Sequence, residues 1–323
     1  MADKTGIEWT DATWNPVTGC TEVSPGCDHC YAKTFAERFS GKPGHYFERG
    51  FDVQLRPEKL DQPLRWRRPR RIFVNSMSDL FHDQVPDDYI ARVFGVMNDA
   101  KRHTFQLLTK RHARMRSLLA SAEFRYRVHH HSCEPCDRDG YAWWPLPNVW
   151  LGVSTENQLW ADIRIPALLD TPAAVRFISA EPLLGPIDLR EYTSESLARR
   201  NYRGHNATCD GRNGSCFVPW CKCDCHRKTF STLGWVIVGG ESGRGARPMH
   251  PDWARSLRDQ CTAAGVPFLF KQWGEWTPNP GHPHRDWANL DDPHAFVMRV
   301  GKKAAGRELD GQTWEQYPVV SSV

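Results

Sequence analysis

The sequence predicts an α/β fold built as a partial or complete (β/α) barrel carrying two Cys-rich insertions. Three observations lead there. Short runs that are mostly apolar on both faces recur along the chain, segments of helical periodicity lie between many of them, and the runs end in polar, Gly-rich or acidic residues. Two-faced apolar runs suit buried parallel strands, and repeated strand–helix alternation builds a parallel sheet. Six or seven such units fit a barrel better than a small Rossmann sheet, and in barrels the chemistry sits where strands end.

A first strand is expected ahead of the loop that carries Cys20. Later strands are Ile72-Phe73-Val74 before Asn75, Phe105-Gln106-Leu107-Leu108 before Thr109, and Val149-Trp150-Leu151-Gly152-Val153 before Ser154. Val175-Arg176-Phe177-Ile178 precedes Ser179, Trp235-Val236-Ile237-Val238 precedes Gly239, and Phe268-Leu269-Phe270 precedes Lys271. Residues 86–100 read as a helix, with Tyr89, Ile90, Val93, Phe94 and Met97 at helical spacing. Asp87 and Asp88 in its first turn suit the positive end of the helix dipole. Further helices are expected over 111–128 (Met115, Leu118, Leu119), 158–170 (Leu159, Ile163, Leu168, Leu169) and 251–264 (Trp253, Leu257, Cys261). Residues 129–145 and 191–231 break this rhythm and read as insertions on a core of residues 1–275, with a loop-rich cap over 276–323.

Composition sets the class. Of 323 residues 40% are hydrophobic, enough for a sizeable core and too many for a disordered chain. Lys plus Arg number 42 against 38 acidic residues, a formal charge of +4 that does not by itself imply nucleic acid. No run approaches the ~20 apolar residues of a membrane span, and the first residues lack the apolar segment of a signal peptide. A cytoplasmic protein without membrane contact is expected.

Ten of the eleven cysteines fall into three tight clusters, and Cys261 stands alone. In a reducing compartment clustered thiols read as metal ligands rather than disulfides. Cys20, Cys27 and Cys30 share one loop with Cys-x6-Cys-x2-Cys spacing, and a helix should start near Tyr31. Three thiolates at a barrel mouth suit a [4Fe–4S] cluster with one iron left open to another ligand; a structural zinc with a distant fourth ligand is the alternative. Cys209, Cys216, Cys221, Cys223, Cys225 and His226 lie within 18 residues, and Cys133 and Cys136 form a knuckle-like pair. A small polar insertion cannot bury enough apolar surface to hold itself, so a metal should staple it. Zinc on a subset of these residues is expected there, with a second iron–sulfur cluster as the alternative.

Polar residues at strand ends would converge on a central cavity. Ser76, Asp79, Ser154 and Glu156 are candidates for positioning a cofactor or substrate, although Ser76, Asp79 and Ser154 equally suit helix caps. Glu181 and Glu241 are poorer caps and are the candidate catalytic carboxylates. Lys110 and Lys271 also follow strands and could meet a phosphate or carboxylate. Arg65, Arg67, Arg68, Arg70 and Arg71 crowd five guanidiniums into seven residues around Trp66. Arginine forks bind phosphate and an indole stacks on bases, so this run is a candidate nucleic-acid contact or else a solvated linker.

The stretch Trp14 to Ala32, with Asn75-Ser76-Met77-Ser78-Asp79-Leu80-Phe81-His82, Gly152-Val153-Ser154, Ser179-Ala180-Glu181-Pro182-Leu183 and Gly239-Gly240-Glu241-Ser242-Gly243, resembles the phage-associated three-Cys-motif family. That family is similar to radical S-adenosylmethionine enzymes and is often encoded beside a three-Cys-motif partner protein. The resemblance covers most of residues 7–275 outside the two insertions. It implies a radical-type barrel in which Cys20, Cys27 and Cys30 hold a [4Fe–4S] cluster. S-adenosylmethionine would chelate the fourth iron and be cleaved by one electron, giving a radical that abstracts hydrogen. The polar residues after the Ile72–Val74 strand would face the cofactor's amino group, and Ser154 and Glu156 its ribose. This chain departs from the usual Cys-x3-Cys-x2-Cys spacing by three residues, and His29 stands where an aromatic residue usually precedes the third cysteine. The implied substrate is a nucleic acid, nucleotide or base. Spore photoproduct lyases are similar in reaction class, which leaves repair and base modification both open. The competing expectations are a metal-stabilised nucleic-acid-binding protein without catalysis and a zinc-dependent hydrolase or nuclease using the strand-end carboxylates.

Overall fold

The computed structural model describes residues 5–132, 144–193, 232–278, 287–289 and 296–319. Cys133, Cys136, Cys209, Cys216, Cys221, Cys223, Cys225 and His226, with the metal site expected of them, lie outside the described residues.

Seven strands form one parallel sheet: β1 (Ala12–Trp14), β4 (Arg71–Val74), β5 (Thr104–Thr109), β6 (Val149–Ser154), β7 (Val175–Ala180), β8 (Trp235–Gly239) and β9 (Phe268–Gln272). Their order in the sheet is their order in the chain, while the short strands β2 (Val17–Thr18) and β3 (Gln54–Leu55) pair separately. Crossovers that always advance in one direction deliver the helices Asp87–Asp99, His112–Ala120, Ala122–His130, Gln158–Leu169 and Pro251–Ala264 to the same face. That face is the main core, where Ile72, Val74, Leu107, Val153, Ile178 and Val236 pack with the buried residues of the helices.

Alternate strand residues point the other way and form a second, smaller cluster: Phe73, Trp150, Phe177, Trp235, Ile237 and Leu269 around Trp9. This cluster shows the curvature. The Trp9 ring lies 4.6 Å from Phe73 on β4 and 6.2 Å from Trp235 on β8. Those strands are four positions apart, which in a flat sheet would be about 19 Å. One indole reaches both because the sheet curls around it. Gly152 permits the packing: a Cβ there would fall 2.4 Å from the Phe177 ring.

The barrel is partial. β1 and β9 do not pair, and the tail takes the β9 edge instead. Phe270 N donates to Trp314 O (3.0 Å) and Gln316 N to Phe268 O (3.1 Å), while the Tyr317 ring lies tilted beside Trp235 at 5.3 Å. The expected cap is thus partly regular, with a three-stranded sheet of β10 (Trp276–Pro278), β11 (Trp287–Asn289) and β12 (Phe296–Arg299) and a hairpin of β13 (Glu308–Leu309) and β14 (Gln312–Thr313).

The helices follow the sequence with two instructive departures. The expected helix over 111–128 is two helices, His112–Ala120 and Ala122–His130, because Ser121 caps the second by accepting from Phe124 N (3.3 Å). The helix Gln158–Leu169 turns Leu159 (62% exposed) and Ile163 (41%) outward and buries Ala161, Arg164, Ile165 and Leu168. No helix among the described residues is long and apolar enough to cross a membrane.

Candidate active site at the strand ends

A cavity of about 440 Å³ opens at the carboxyl ends of the parallel strands, on the concave face. Trp9, Phe73 and Leu108 give it an apolar floor. Period-2 alternation above that floor brings Asn75, Lys110, Ser154, Glu181, Glu241 and Lys271 to its wall from different strands. Cys20, Cys27 and Cys30 all line the same cavity from the loop between β2 and the helix Tyr31–Glu37. Each is a free, partly exposed thiol. Burial pushes the Cys20 thiol up to about 11, with Asp79 adding to the shift and Arg111 opposing it.

Three clamps fix the thiol loop. Arg111 Nη2 donates to Thr21 Oγ1 (2.7 Å) and to Thr21 O (3.3 Å), beside Cys20. Gly26 N donates to Glu156 Oε1 (3.3 Å), and Glu156 Oε2 pairs with Arg164 Nη1 (2.9 Å). Both side chains of that pair are sealed, at 1% and 0% exposure. The third clamp crosses from β8. Glu241 accepts from Arg247 N (2.8 Å), Nε (2.9 Å) and Nη2 (2.7 Å), and meets His29 Nδ1 at 3.0 Å. Arg247 reaches on to Asp28 Oδ2 (2.9 Å) and Pro25 O (2.8 Å). Burial works against the Glu241 charge, but the bonds from Arg247 and His29 outweigh it and hold the carboxyl below its usual range.

The other expected residues separate by surroundings. Asp79 lines the cavity, yet its carboxylate accepts from Thr109 Oγ1 (2.8 and 2.9 Å), Lys110 N (3.0 Å) and Phe81 N (3.0 Å), tying the end of β5. Ser76 is tied to the Asn15 amide at 3.2 Å. Ser154 Oγ accepts from Lys110 Nζ (3.2 Å), and Glu181 Oε1 from Lys271 Nζ (2.6 Å). Glu156 does not line the cavity; it stands behind the thiol loop. The arginine run is not brought to this site. Arg71 opens β4 at the strand's amino end, bonded to Asp11 (3.0 Å). Arg65, Arg67 and Arg68 are exposed just before it, and Arg70 lies over the Trp66 ring at 5.0 Å.

Sequence reasoning missed Arg164, Arg247 and Arg111. Arg164 had a signal, since it falls on the buried stripe Ala161–Ile165–Leu168 at helical spacing. Arg247 and Arg111 reach the thiol loop only through long-range folding.

Among the described residues no three His, Cys, Asp or Glu side chains form a group able to hold a single metal ion. A [4Fe–4S] cluster takes its cysteines on separate irons. Cys20, Cys27 and Cys30 line the one cavity.

The family described as "Protein of unknown function (DUF5131)" matches residues 4–318. The chain belongs to the DUF5131 family. No curated protein matches this DUF5131 chain. Among solved structures it is distantly similar to spore photoproduct lyase complexed with dinucleoside spore photoproduct, at 11% identity and a TM-score of 0.36. That match covers 76% of this chain and 59% of the other, so the chain spans less than two thirds of that protein. A spore photoproduct lyase point mutant aligns at 11% identity and a TM-score of 0.39, over 79% and 73% of the two chains.

Proposed function

We propose that the protein is an iron–sulfur enzyme of the radical S-adenosylmethionine type, acting on a nucleic acid, nucleotide or base. The observation that carries this reading is that Cys20, Cys27 and Cys30 all line a single strand-end cavity of a singly wound, curled parallel sheet. A [4Fe–4S] cluster held by those thiols would supply one electron for reductive cleavage of the cofactor's sulfonium.

The remaining roles belong to side chains of the chain itself. Glu156, Arg164, Glu241 and Arg247 hold the thiol loop in place. Lys110 carries an ammonium to the cavity wall with a hydroxyl, Ser154, as its hydrogen-bond partner, which suits a carboxylate or phosphate. Ser76, Ser154 and Asp79 shape the surface against which cofactor or substrate would lie. Glu181 keeps a cationic partner, Lys271, beside it and is the proposed proton-exchanging carboxylate. Glu241 is committed to the loop and acts by positioning.

A zinc hydrolase would need strand-end carboxylates as metal ligands, but Glu181 and Glu241 each carry a cationic partner. The test is anaerobic reconstitution with iron and sulfide. About four irons per three-cysteine site and a broad absorption near 400 nm are expected, both lost in Cys27→Ala. A first site that takes only zinc under oxygen-free conditions would leave a metal-stabilised binding protein as the better reading.

A further inference from the structure

The helix Tyr31–Glu37 leads away from the thiol loop, and its outward side is aromatic. Ala32 and Ala36 are buried, while Tyr31 is 58% and Phe35 44% exposed. Tyr31 lines the cavity, so this face begins at the cavity mouth. Its hydroxyl donates to Ser76 O, which fixes the ring in place. Phe35 is held edge-on by Phe39 (5.4 Å between ring centres) and by the buried Phe47 (5.7 Å), and Phe39 stacks on His45 at 4.0 Å. Rings fixed in this way lose little freedom on binding. Arg38 and Lys42, on either side of Phe39 in the chain, are exposed and have no acidic partner among the described residues. The acids nearby are engaged elsewhere: Glu22 pairs with Lys33 (2.7 Å), Glu48 accepts from Gly44 N (2.9 Å), and Glu37 lies against Gly50.

We propose that Tyr31, Phe35 and Phe39 form a stacking platform for the bases that flank the target in single-stranded nucleic acid. The proposal rests on the reading above that the substrate is a nucleic acid or a part of one, and narrows it to a polymer. A cavity of about 440 Å³ has the size of a small-molecule site. Of a strand it holds the target nucleotide, and the neighbours must lie outside its mouth, where Tyr31 and Phe35 stand. Stacking of bases on aromatic rings tolerates any sequence, and adjacent cations take the phosphates. Four residues separate Tyr31 from Phe35, a rise of about 6 Å along the helix, against about 3.4 Å between neighbouring bases of a duplex strand. The platform therefore suits bases splayed apart, as beside a nucleotide drawn out of its stack.

The test is fluorescence anisotropy of a labelled single-stranded oligonucleotide of mixed sequence, and of its duplex, titrated with the protein over a range of salt before and after iron–sulfide reconstitution. Phe35→Ala should weaken single-strand binding roughly five- to hundredfold, the loss of one stacked base, and leave duplex binding unchanged. The slope of log affinity against log salt should stay as in wild type, because no phosphate contact is lost. Phe35→Leu, which keeps apolar contact with Phe39 and Phe47, should weaken single-strand binding in the same direction, and Phe35→Trp should retain it. Wild-type affinity in Phe35→Leu, an equal loss in Phe35→Trp, an equal loss for duplex, or no binding of the single strand would overturn the proposal. So would self-association of the wild type that Phe35→Leu abolishes with no effect on the oligonucleotide, which would make this face a contact between copies. A protein that stacks the strand but takes up no iron would sink the radical reading and leave the platform standing. One that takes up iron and cleaves S-adenosylmethionine, but binds the strand equally with and without the Phe35 ring, would do the reverse.

Discussion

Arg164, fully buried in the helix Gln158–Leu169, pairs with Glu156 at 2.9 Å, and the other oxygen of that carboxylate holds the backbone of Gly26. A helix on the outer face of the sheet is thereby wired to the loop that carries Cys27. Removing one member of a sealed pair leaves the other charge uncompensated, which costs roughly 3–5 kcal/mol. Arg164→Met should therefore lower the unfolding free energy by about that much in urea titration. Glu156→Gln should also quicken alkylation of Cys27 by a small maleimide. Unchanged stability of Arg164→Met would show that the pair does not hold the loop.

The clamp at Glu241 has a pH signature. Its carboxyl titrates below the ordinary 4.5 because the bonds from Arg247 and His29 overcome the effect of burial. A carboxyl depressed on folding contributes stability that is complete above the unfolded pKa. That contribution is lost as pH falls through the folded pKa. Melting temperature of the wild type should thus fall below pH 4.5 more steeply than that of Glu241→Gln, whose stability at neutral pH should already be lower. Parallel curves for the two proteins would remove Glu241 from the acid response.

Phe177 fills the space that Gly152 leaves, since a Cβ would stand 2.4 Å from its ring. Gly152→Ala must push the ring away from its neighbours Trp9 and Trp235. A destabilisation of about 1–3 kcal/mol is expected, as for other overpacked cores. The double change Gly152→Ala with Phe177→Leu should recover part of it, measured by denaturant unfolding.

How much of this was legible in the sequence depends on the range of the interactions. The six later strands stand where two-faced apolar runs place them, because burial on both faces is written into each run locally. The thiols Cys20, Cys27 and Cys30 and the carboxylates Glu181 and Glu241 were legible as occupants of strand ends and do share one cavity. Their partners were not. Arg247 reaches Pro25 across 222 positions of chain, and no local pattern encodes that pairing. Leu159 and Ile163 misled because an apolar pair at i, i+4 looks like a core stripe whichever way the helix faces. The arginine run was legible as charge, but its place at the amino end of β4, away from the cavity, follows only from strand direction.

That placement makes nucleic-acid binding separable from chemistry. Arg67→Ala with Arg68→Ala should weaken duplex binding, and the slope of log affinity against log salt should shrink by about 0.9 for each phosphate that is no longer neutralised. The cavity should be untouched, so iron content after reconstitution should equal that of wild type. Unaltered affinity and slope would assign the run to solvent.

The central claim is tested most directly by supplying S-adenosylmethionine to the reduced, iron–sulfide-reconstituted protein under anaerobic conditions and measuring 5′-deoxyadenosine by chromatography. Slow accumulation without added substrate is expected, together with a perturbed cluster spectrum on cofactor binding. Cys27→Ala should produce none, and Arg67→Ala with Arg68→Ala should match wild type. A reduced protein carrying about four irons that neither binds nor cleaves the cofactor would contradict the radical mechanism.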